Sequence, residues 1–327
     1  MKKRVLVTGA GGFIGSHLAE ALVKKGYEVR AFVHYNSFNS WGWIDRIDEE
    51  IKNSLEIFNG DIQDPHGVRK AMEGCEMVFH LAALVGIPYS YRSPESYVDT
   101  NIKGTLNILQ AAKELGIKKI IQTSTSEVYG TACRPSINEQ HRINPQSPYA
   151  ATKAAADFLT LAFYRSFNLP TVLMRPFNNY GPRQSARAII PTIITQILAG
   201  SKIIKIGSLY PERDLVYVAD TVRGFIGGAE SKSAVGNIIN IGTNSTVTIR
   251  ALAGIIMKLM RVNKKIEIQK ERVRPKGSEV ERLKADITKA KKIINWSPQY
   301  NLEQGLEKTI AWLRKNHHLY KPFIYNV

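Results

Sequence analysis

Two residues four positions apart, Tyr149 and Lys153, set the first chemical expectation. They lie in the run Ser147-Pro148-Tyr149-Ala150-Ala151-Thr152-Lys153, which reads as the opening of an alanine-rich helix. Ser147 is a suitable N-cap and Pro148 suits the first helical position. At this spacing both side chains share one helix face. An ammonium beside a phenol favours the phenolate and lowers its pKa, so the pair could take a proton from a sugar or alcohol hydroxyl near neutral pH. An isolated pair of this kind occurs in many helices; its weight comes from what precedes it.

What precedes it is Thr8-Gly9-Ala10-Gly11-Gly12-Phe13-Ile14-Gly15, between a strand-like run and a helix-like one. Gly9, Gly12 and Gly15 have the spacing of a dinucleotide-binding turn. One serves the tight turn, one the approach of a pyrophosphate to the backbone, and one the close packing of helix on strand. The helix beginning near Phe13 and Ile14 offers amide donors and a positive dipole end to the phosphates. Downstream, Asp61-Ile62 follows the third strand, where a carboxylate can meet the adenine amino group, although Asp61 could equally cap the turn into Pro65. Leu81, Ala82 and Ala83 end the fourth strand in small residues that let the backbone pass close to the cofactor, and Pro176 completes the expected cofactor contacts.

The second strand bears on which dinucleotide binds. An NAD site usually carries an acid about 20 residues beyond the glycines to hold the ribose 2′-hydroxyl. Here the region reads Val33-His34-Tyr35-Asn36-Ser37, and the nearest carboxylates are Glu28 and Asp45. His34, Asn36 and Ser37 could instead donate to a 2′-phosphate, so NADP is expected, with NAD as the alternative.

The elements that must position these residues follow from the hydrophobic pattern. Runs at Arg4–Val7, Glu28–Val33, Leu55–Phe58, Met77–Leu81, Lys119–Thr123 and Thr171–Met174 read as strands, and amphipathic stretches at Ile14–Lys25, His66–Met72, Val98–Leu115 and Tyr149–Phe167 read as helices. Such alternation predicts an α/β fold: a Rossmann, doubly wound parallel sheet. After about Pro176 the alternation fades into a smaller mixed α/β lobe. Helices are expected there at Ile190–Leu198, Ala219–Ala229, Ile249–Met260, Thr288–Ile294 and Leu302–Asn316. We therefore expect a dinucleotide-binding domain over 1–176, joined by a returning strand near 237–241, and a substrate-binding lobe over 177–327.

Bulk composition narrows the class. The 327 residues are 44% hydrophobic and 22% charged, as in ordinary globular proteins. No apolar run approaches the roughly 18 residues of a membrane span. Net charge is +17, but the basic residues are scattered in short pairs such as Lys118-Lys119 and Lys291-Lys292. That spread argues against a nucleic-acid-binding face and suits an anionic small substrate drawn in by positive potential. Cys75 and Cys133 form no metal-ligand spacing, so no metal site is expected, and a reduced cytoplasmic protein is the simplest account.

Taken together, Thr8–Gly15, Asp61, His80–Ala83, Asn101, Thr123–Gly130, Tyr149/Lys153, Arg175–Arg183 and Arg213–Asp214 resemble the extended short-chain dehydrogenase/reductase family. Its members modify nucleotide sugars as epimerases, dehydratases, decarboxylases or reductases. The resemblance implies that Asn178 and Arg213 contact the diphosphate and that Arg274 approaches the nucleotide from the second lobe. Thr125-Ser126-Glu127 sits where nucleotide-sugar dehydratases carry Thr-Asp-Glu or Thr-Ser-Glu. Thr125 would then bond the reacting 4-hydroxyl and Glu127 would remove the C5 proton. Ser126 replaces an aspartic acid that helps expel the C6 hydroxyl, which leaves the acid open; the triplet is also compatible with decarboxylation. The stretches Tyr35–Trp43 and Arg175–Arg187 are most similar to bacterial dehydratases of nonulosonic acid routes. That similarity implies UDP-N-acetylglucosamine as substrate, with a GDP-linked sugar possible, and a 4-keto-6-deoxy or 5,6-unsaturated product. Helices Val98–Leu115 and Tyr149–Phe167 imply at least a homodimer. Rival readings are an epimerase or decarboxylase and, from another class, a non-catalytic NADP sensor, against which the intact Tyr149, Lys153 and Glu127 argue.

Overall fold

The structure is a computed structural model describing residues 3–325. Its centre is a sheet of β1 (Arg4–Thr8), β2 (Glu28–His34), β3 (Leu55–Gly60), β4 (Met77–His80), β5 (Lys119–Thr123), β6 (Thr171–Pro176) and β7 (Ile238–Ile241). All seven are parallel, in the order β7-β6-β5-β4-β1-β2-β3. Strand order reverses between β1 and β4, and open α/β sheets bind ligands at such a switch, outside the carboxyl ends of the strands. The strands are near-continuous apolar runs because both faces are covered: Val5, Leu6 and Val7 are inaccessible, and β6 is buried throughout. This is the doubly wound Rossmann arrangement expected from the alternation of runs.

Helices α1 (Phe13–Lys24), α2 (Pro65–Met72), α3 (Gly104–Glu114) and α4 (Pro148–Phe167) connect the strands. The helix expected from Val98 opens on one wide π-helical turn, Val98–Lys103, before α3 proper. Beyond β6 come α5 (Ile189–Leu198), α6 (Val218–Glu230), α7 (Ile249–Met260), α8 (Thr288–Ile294) and α9 (Leu302–Asn316). Short strands pair among them: Ile203–Ile206 with Lys265–Ile268, and Glu212–Arg213 between Val247–Thr248 and Arg282–Leu283.

The second half of the chain does not stay apart from the sheet. Helix α6 packs on α1, β5 and β6, and β7 then extends the sheet. Two glycines permit this approach: a Cβ on Gly224 would stand 2.8 Å from Ile241 Cδ1, and one on Gly228 3.0 Å from the Met174 sulfur. One apolar cluster consequently runs from Val5 through Ile204 to Leu313. No helix among the described residues is long and apolar enough to cross a membrane.

Candidate active site

A cleft of about 1170 Å³ opens along the carboxyl ends of the strands and continues toward Arg213 and Arg274. Gly9, Gly12, Phe13, Ile14 and Gly15 line one end. Gly9 has φ +68°, and a Cβ there would stand 2.8 Å from the Ala82 nitrogen, while one on Gly15 would collide with the Gly9 carbonyl. Helix α1 thus sits against the β1 turn at a distance only glycine allows. Gly12 caps α1 without a side chain, and the first turn carries no acid. The leading amides and the positive end of the helix dipole are therefore left for an anion. Leu81, Ala82, Ala83 and Pro176 border the same region. The cradle fits the pyrophosphate of a dinucleotide.

The loop after β2 folds over this cradle, which sequence reasoning missed. The Trp43 amide donates to the Gly11 carbonyl at 2.9 Å. A Cβ on Gly11 would lie 2.6 Å from the Trp41 carbonyl oxygen, and one on Gly42 2.5 Å from that of Gly11. The signal available was a glycine between two tryptophans, Trp41-Gly42-Trp43. His34 and Asn36 line the cleft, whereas Ser37 does not. The Asn36 side chain is consumed by its own loop, donating to the His34 and Ser40 carbonyls and accepting from the Phe38 and Ser40 amides. Asp45 returns to accept from Ser40 Oγ at 2.8 Å and the Trp41 amide at 3.1 Å. The expected phosphate pocket of His34, Asn36 and Ser37 thus has its amide already bonded, and a carboxylate has joined the loop. Asp61 and Ile62 also lie outside the cleft lining. Asp61 accepts from the Gln63 amide, in keeping with the turn-capping alternative, and Ile62 is buried where a Cβ on Gly104 would meet it.

A buried relay fixes the end of β4 beside the cradle. Thr8 Oγ1 accepts from the Leu81 and Ala82 amides, both at 3.1 Å, so its proton goes to His80 Nδ1 at 2.8 Å. The other ring nitrogen then donates to Thr105 Oγ1 at 3.2 Å, and the Thr105 hydroxyl to the Asn101 carbonyl. Asn101 bonds both backbone groups of Leu84 and reaches Thr152 on α4. Burial first, then Lys153, pushes the His80 pKa down to about 3; His17 falls to about 4, chiefly by burial. Both folded values lie below that of a free histidine, so this stability is fully present above pH ~6.5 and is lost as pH falls toward the folded values. We expect roughly 1.4 kcal/mol to be lost per pH unit from each histidine within that window. His80→Gln should flatten the dependence in thermal melts, and a melting temperature unchanged between pH about 7.5 and 4.5 would contradict it.

Of the residues expected to be catalytic, Thr125, Glu127, Tyr149 and Lys153 all line the cleft. Ser147 Oγ accepts from the Ala150 amide at 3.1 Å, with Pro148 in the first turn, and this cap starts α4 so that Tyr149, Lys153 and Asp157 form one buried stripe. Lys153 Nζ donates to the Thr123 carbonyl at 2.6 Å. Burial lowers the Lys153 pKa to about 8, while the Asp157 charge raises it. Burial also pushes the Tyr149 phenol up; a hydrogen bond with Thr125 draws it down, and Glu127 adds to the rise. The expectation that Lys153 by itself lowers the Tyr149 pKa therefore fails in this geometry, where desolvation dominates.

Thr125 caps the short turn Ser126–Tyr129, its Oγ1 accepting from the Glu127 amide at 3.2 Å. Glu127 is 6% exposed. Its carboxylate lines the cleft rather than bonding the turn, with Arg274 at 3.7 Å as its ion partner. Ser126 is buried and does not line the cleft. Arg274 also lies 3.7 Å from Glu279, which binds Arg213 at 3.0 Å; Glu279 was not foreseen. Asp214 is not the partner of Arg213. It accepts from the Thr243, Asn244 and Ala285 amides, and burial raises its pKa to about 6. Asn178 Oδ1 and Thr123 Oγ1 are buried without hydrogen-bond partners among the described residues, and both residues line the cleft. The cleft thus joins a glycine cradle, the Tyr149/Lys153 pair, a buried carboxylate, the buried Arg213 guanidinium and the half-buried Arg274 guanidinium.

The comparisons with known proteins agree with this geometry. A family model described as GDP-mannose 4,6 dehydratase matches residues 6–309. The chain is 36% identical over 325 residues to a UDP-N-acetyl-alpha-D-glucosaminuronate decarboxylase of Bacillus cytotoxicus, covering 96% of this chain and 99% of that one. It is 32% identical to a dTDP-glucose 4,6-dehydratase of Streptomyces griseus, covering 99% and 98%. Among solved structures it is similar to UDP-glucuronic acid 4-epimerase from Bacillus cereus, in complex with UDP-glucuronic acid and NAD, with TM-score 0.87, 30% identity and coverage of 96% and 99%. With its glycine cradle, its Tyr149/Lys153 pair and matches along nearly its whole length, this chain belongs to the extended short-chain dehydrogenase/reductase family, within the group of nucleotide-sugar dehydratases, epimerases and decarboxylases.

Proposed function

We propose that the protein removes water from UDP-N-acetylglucosamine, giving a 4-keto-6-deoxy or a 5,6-unsaturated sugar nucleotide. The observation that carries this reading is Glu127: a buried carboxylate on the cleft wall, two residues from Thr125, that makes no bond to its own turn. A simple epimerase has no use for a base at C5. When bound, an oxidised nicotinamide supplies a hydride acceptor and a positive charge that favours the Tyr149 phenolate. Tyr149 takes the proton of the sugar 4-hydroxyl, and Thr125 orients that hydroxyl. The resulting 4-ketone acidifies C5–H; Glu127 takes that proton and passes it to the C6 hydroxyl, which departs as water. The hydride removed from C4 would be returned either to C6, with a solvent proton going to C5, or to C4, with the Tyr149 proton going back to the 4-oxygen. Lys153 holds its place through the Thr123 carbonyl. Arg213 and Asn178 meet the diphosphate, and Arg274, 3.7 Å from Glu127, faces the nucleotide.

Incubation with UDP- and GDP-N-acetylglucosamine, followed by mass and NMR analysis, tests this. Loss of one water from the UDP sugar is expected; a 4-epimer of unchanged mass contradicts it. The Bacillus cytotoxicus relative supports a second reading: oxidation at C4 of a uronate sugar followed by loss of carbon dioxide, which the same Tyr149 and Thr125 could serve. A product lacking carbon dioxide, formed from the uronate alone, would select it.

The bonds within the β2 loop favour NAD as the cofactor. Asn36 is occupied, Ser37 stands off the cleft, and Asp45 lies in the loop; the Bacillus cereus epimerase holds NAD. The missing acid at the end of β2 remains the argument for NADP, with His34 as its remaining donor. Chromatography of nucleotide released by denaturation should yield NAD, and NADP alone would overturn this. Phe158 and Phe167 on α4 are 58% and 48% exposed. Pairing of two copies through that face is part of the proposal, and a monomeric mass by light scattering would count against it.

A further inference from the structure

The chain beyond α9 returns to the cleft. Tyr320 pins it: its hydroxyl donates to the Gln184 carbonyl at 2.9 Å, and its ring centroid lies 6.4 Å from that of Trp43 and 6.3 Å from that of Trp312. Trp43 belongs to the loop whose backbone closes on Gly11. Five residues further on, Tyr325 lines the cleft with Arg272 and Arg274. The Arg272 guanidinium carbon lies 4.5 Å from the Tyr325 ring centroid, and Arg272 Nε is itself held by Gln269 at 2.5 Å. Burial raises the pKa of the Tyr325 phenol while Arg272 and Arg274 draw it down, so the ring stands in the field of both cations. Arg274 is the partner of Glu127. The tail therefore spans from the cofactor loop to the cation beside the C5 base, and Tyr320 already supplies its anchor to the body. A half-buried phenol on the cleft wall beyond that anchor is placed to touch what the cleft holds.

We infer that Tyr325 is a substrate-positioning residue that walls the cleft over the sugar diphosphate, its ring stacked on Arg272 and its hydroxyl donating to the nucleotide sugar. The inference rests on the nucleotide-sugar reading. The test measures binding of UDP, GDP and UDP-N-acetylglucosamine by calorimetry, together with steady-state kinetics, for the wild type, Tyr325→Ala and Tyr325→Phe. Tyr325→Ala should weaken nucleotide-sugar binding about tenfold, the scale of losing a hydrogen bond to a charged ligand, and raise KM more than it lowers kcat. Its melting temperature and bound-cofactor content should match the wild type, which a purely structural residue would not allow. Should Tyr325→Ala prove unstable, Tyr325→Phe isolates the hydroxyl and should still weaken sugar binding severalfold. Wild-type affinity in both variants overturns the inference while leaving the nucleotide-sugar reading intact. A wild type that binds neither UDP nor GDP overturns both.

Discussion

Glu127→Gln is expected to lower elimination by about 10²-fold or more, the usual scale for losing a positioned base, while leaving oxidation at C4 partly intact. The amide keeps the size of the side chain, so the turn Ser126–Tyr129, capped by Thr125 through a backbone bond, should form as before. Tyr149, Lys153 and Thr125 remain. The variant should therefore oxidise its sugar once and stall, and the stalled enzyme should be visible as accumulated reduced nicotinamide by its absorbance. Removing the carboxylate also strips Arg274 of one of its two partners, so weaker nucleotide binding is a predicted side effect and elimination should be compared at saturating substrate. Elimination at near wild-type rate would show that Glu127 does no more than order the strand end before Gly130.

Tyr149→Phe acts one step earlier and should show the opposite partition. The ring is buried, edge-on to Tyr97 with centroids 6.3 Å apart, and phenylalanine preserves that contact, so folding and cofactor retention should survive. Loss of the phenol removes the group that takes the 4-hydroxyl proton, at a cost of about 10²–10⁴-fold in the oxidation step. No reduced nicotinamide should accumulate, which separates this variant from Glu127→Gln. Reduced nicotinamide appearing at the wild-type rate would move the base role to another group.

The central sheet and the capped helix that carries Tyr149 and Lys153 were legible in the sequence because their signals are local. Short apolar runs, a glycine triplet and a capped tyrosine–lysine helix are each set within about a dozen residues, the range over which periodicity and capping act. What escaped was long-range. Nothing near Gly11 announces that the backbone of Trp41–Trp43 will lie on it, and nothing near Arg213 announces Glu279, 66 residues later. Asn36 misled for a related reason: an asparagine near a cofactor edge reads as a donor to ligand, yet asparagine also bonds its own backbone in turns, and here the turn won. The lowered Tyr149 pKa expected from its spacing with Lys153 failed because spacing carries no information on burial, which dominates both groups. Helix α6 was legible as a helix, but its place on the sheet was not, since Gly224 and Gly228 gain meaning only once Ile241 and Met174 stand opposite.

Turnover of UDP-N-acetylglucosamine by the wild-type enzyme in deuterated water, with the product examined by NMR, separates elimination from epimerisation in one experiment. Proton removal at C5 by Glu127, followed by loss of the C6 hydroxyl, predicts a 4-keto-6-deoxy product carrying deuterium at C5, or a 5,6-unsaturated product with vinyl signals and no C5 hydrogen. A product that keeps its C6 hydroxyl and its original C5 proton, inverted only at C4, would contradict the account.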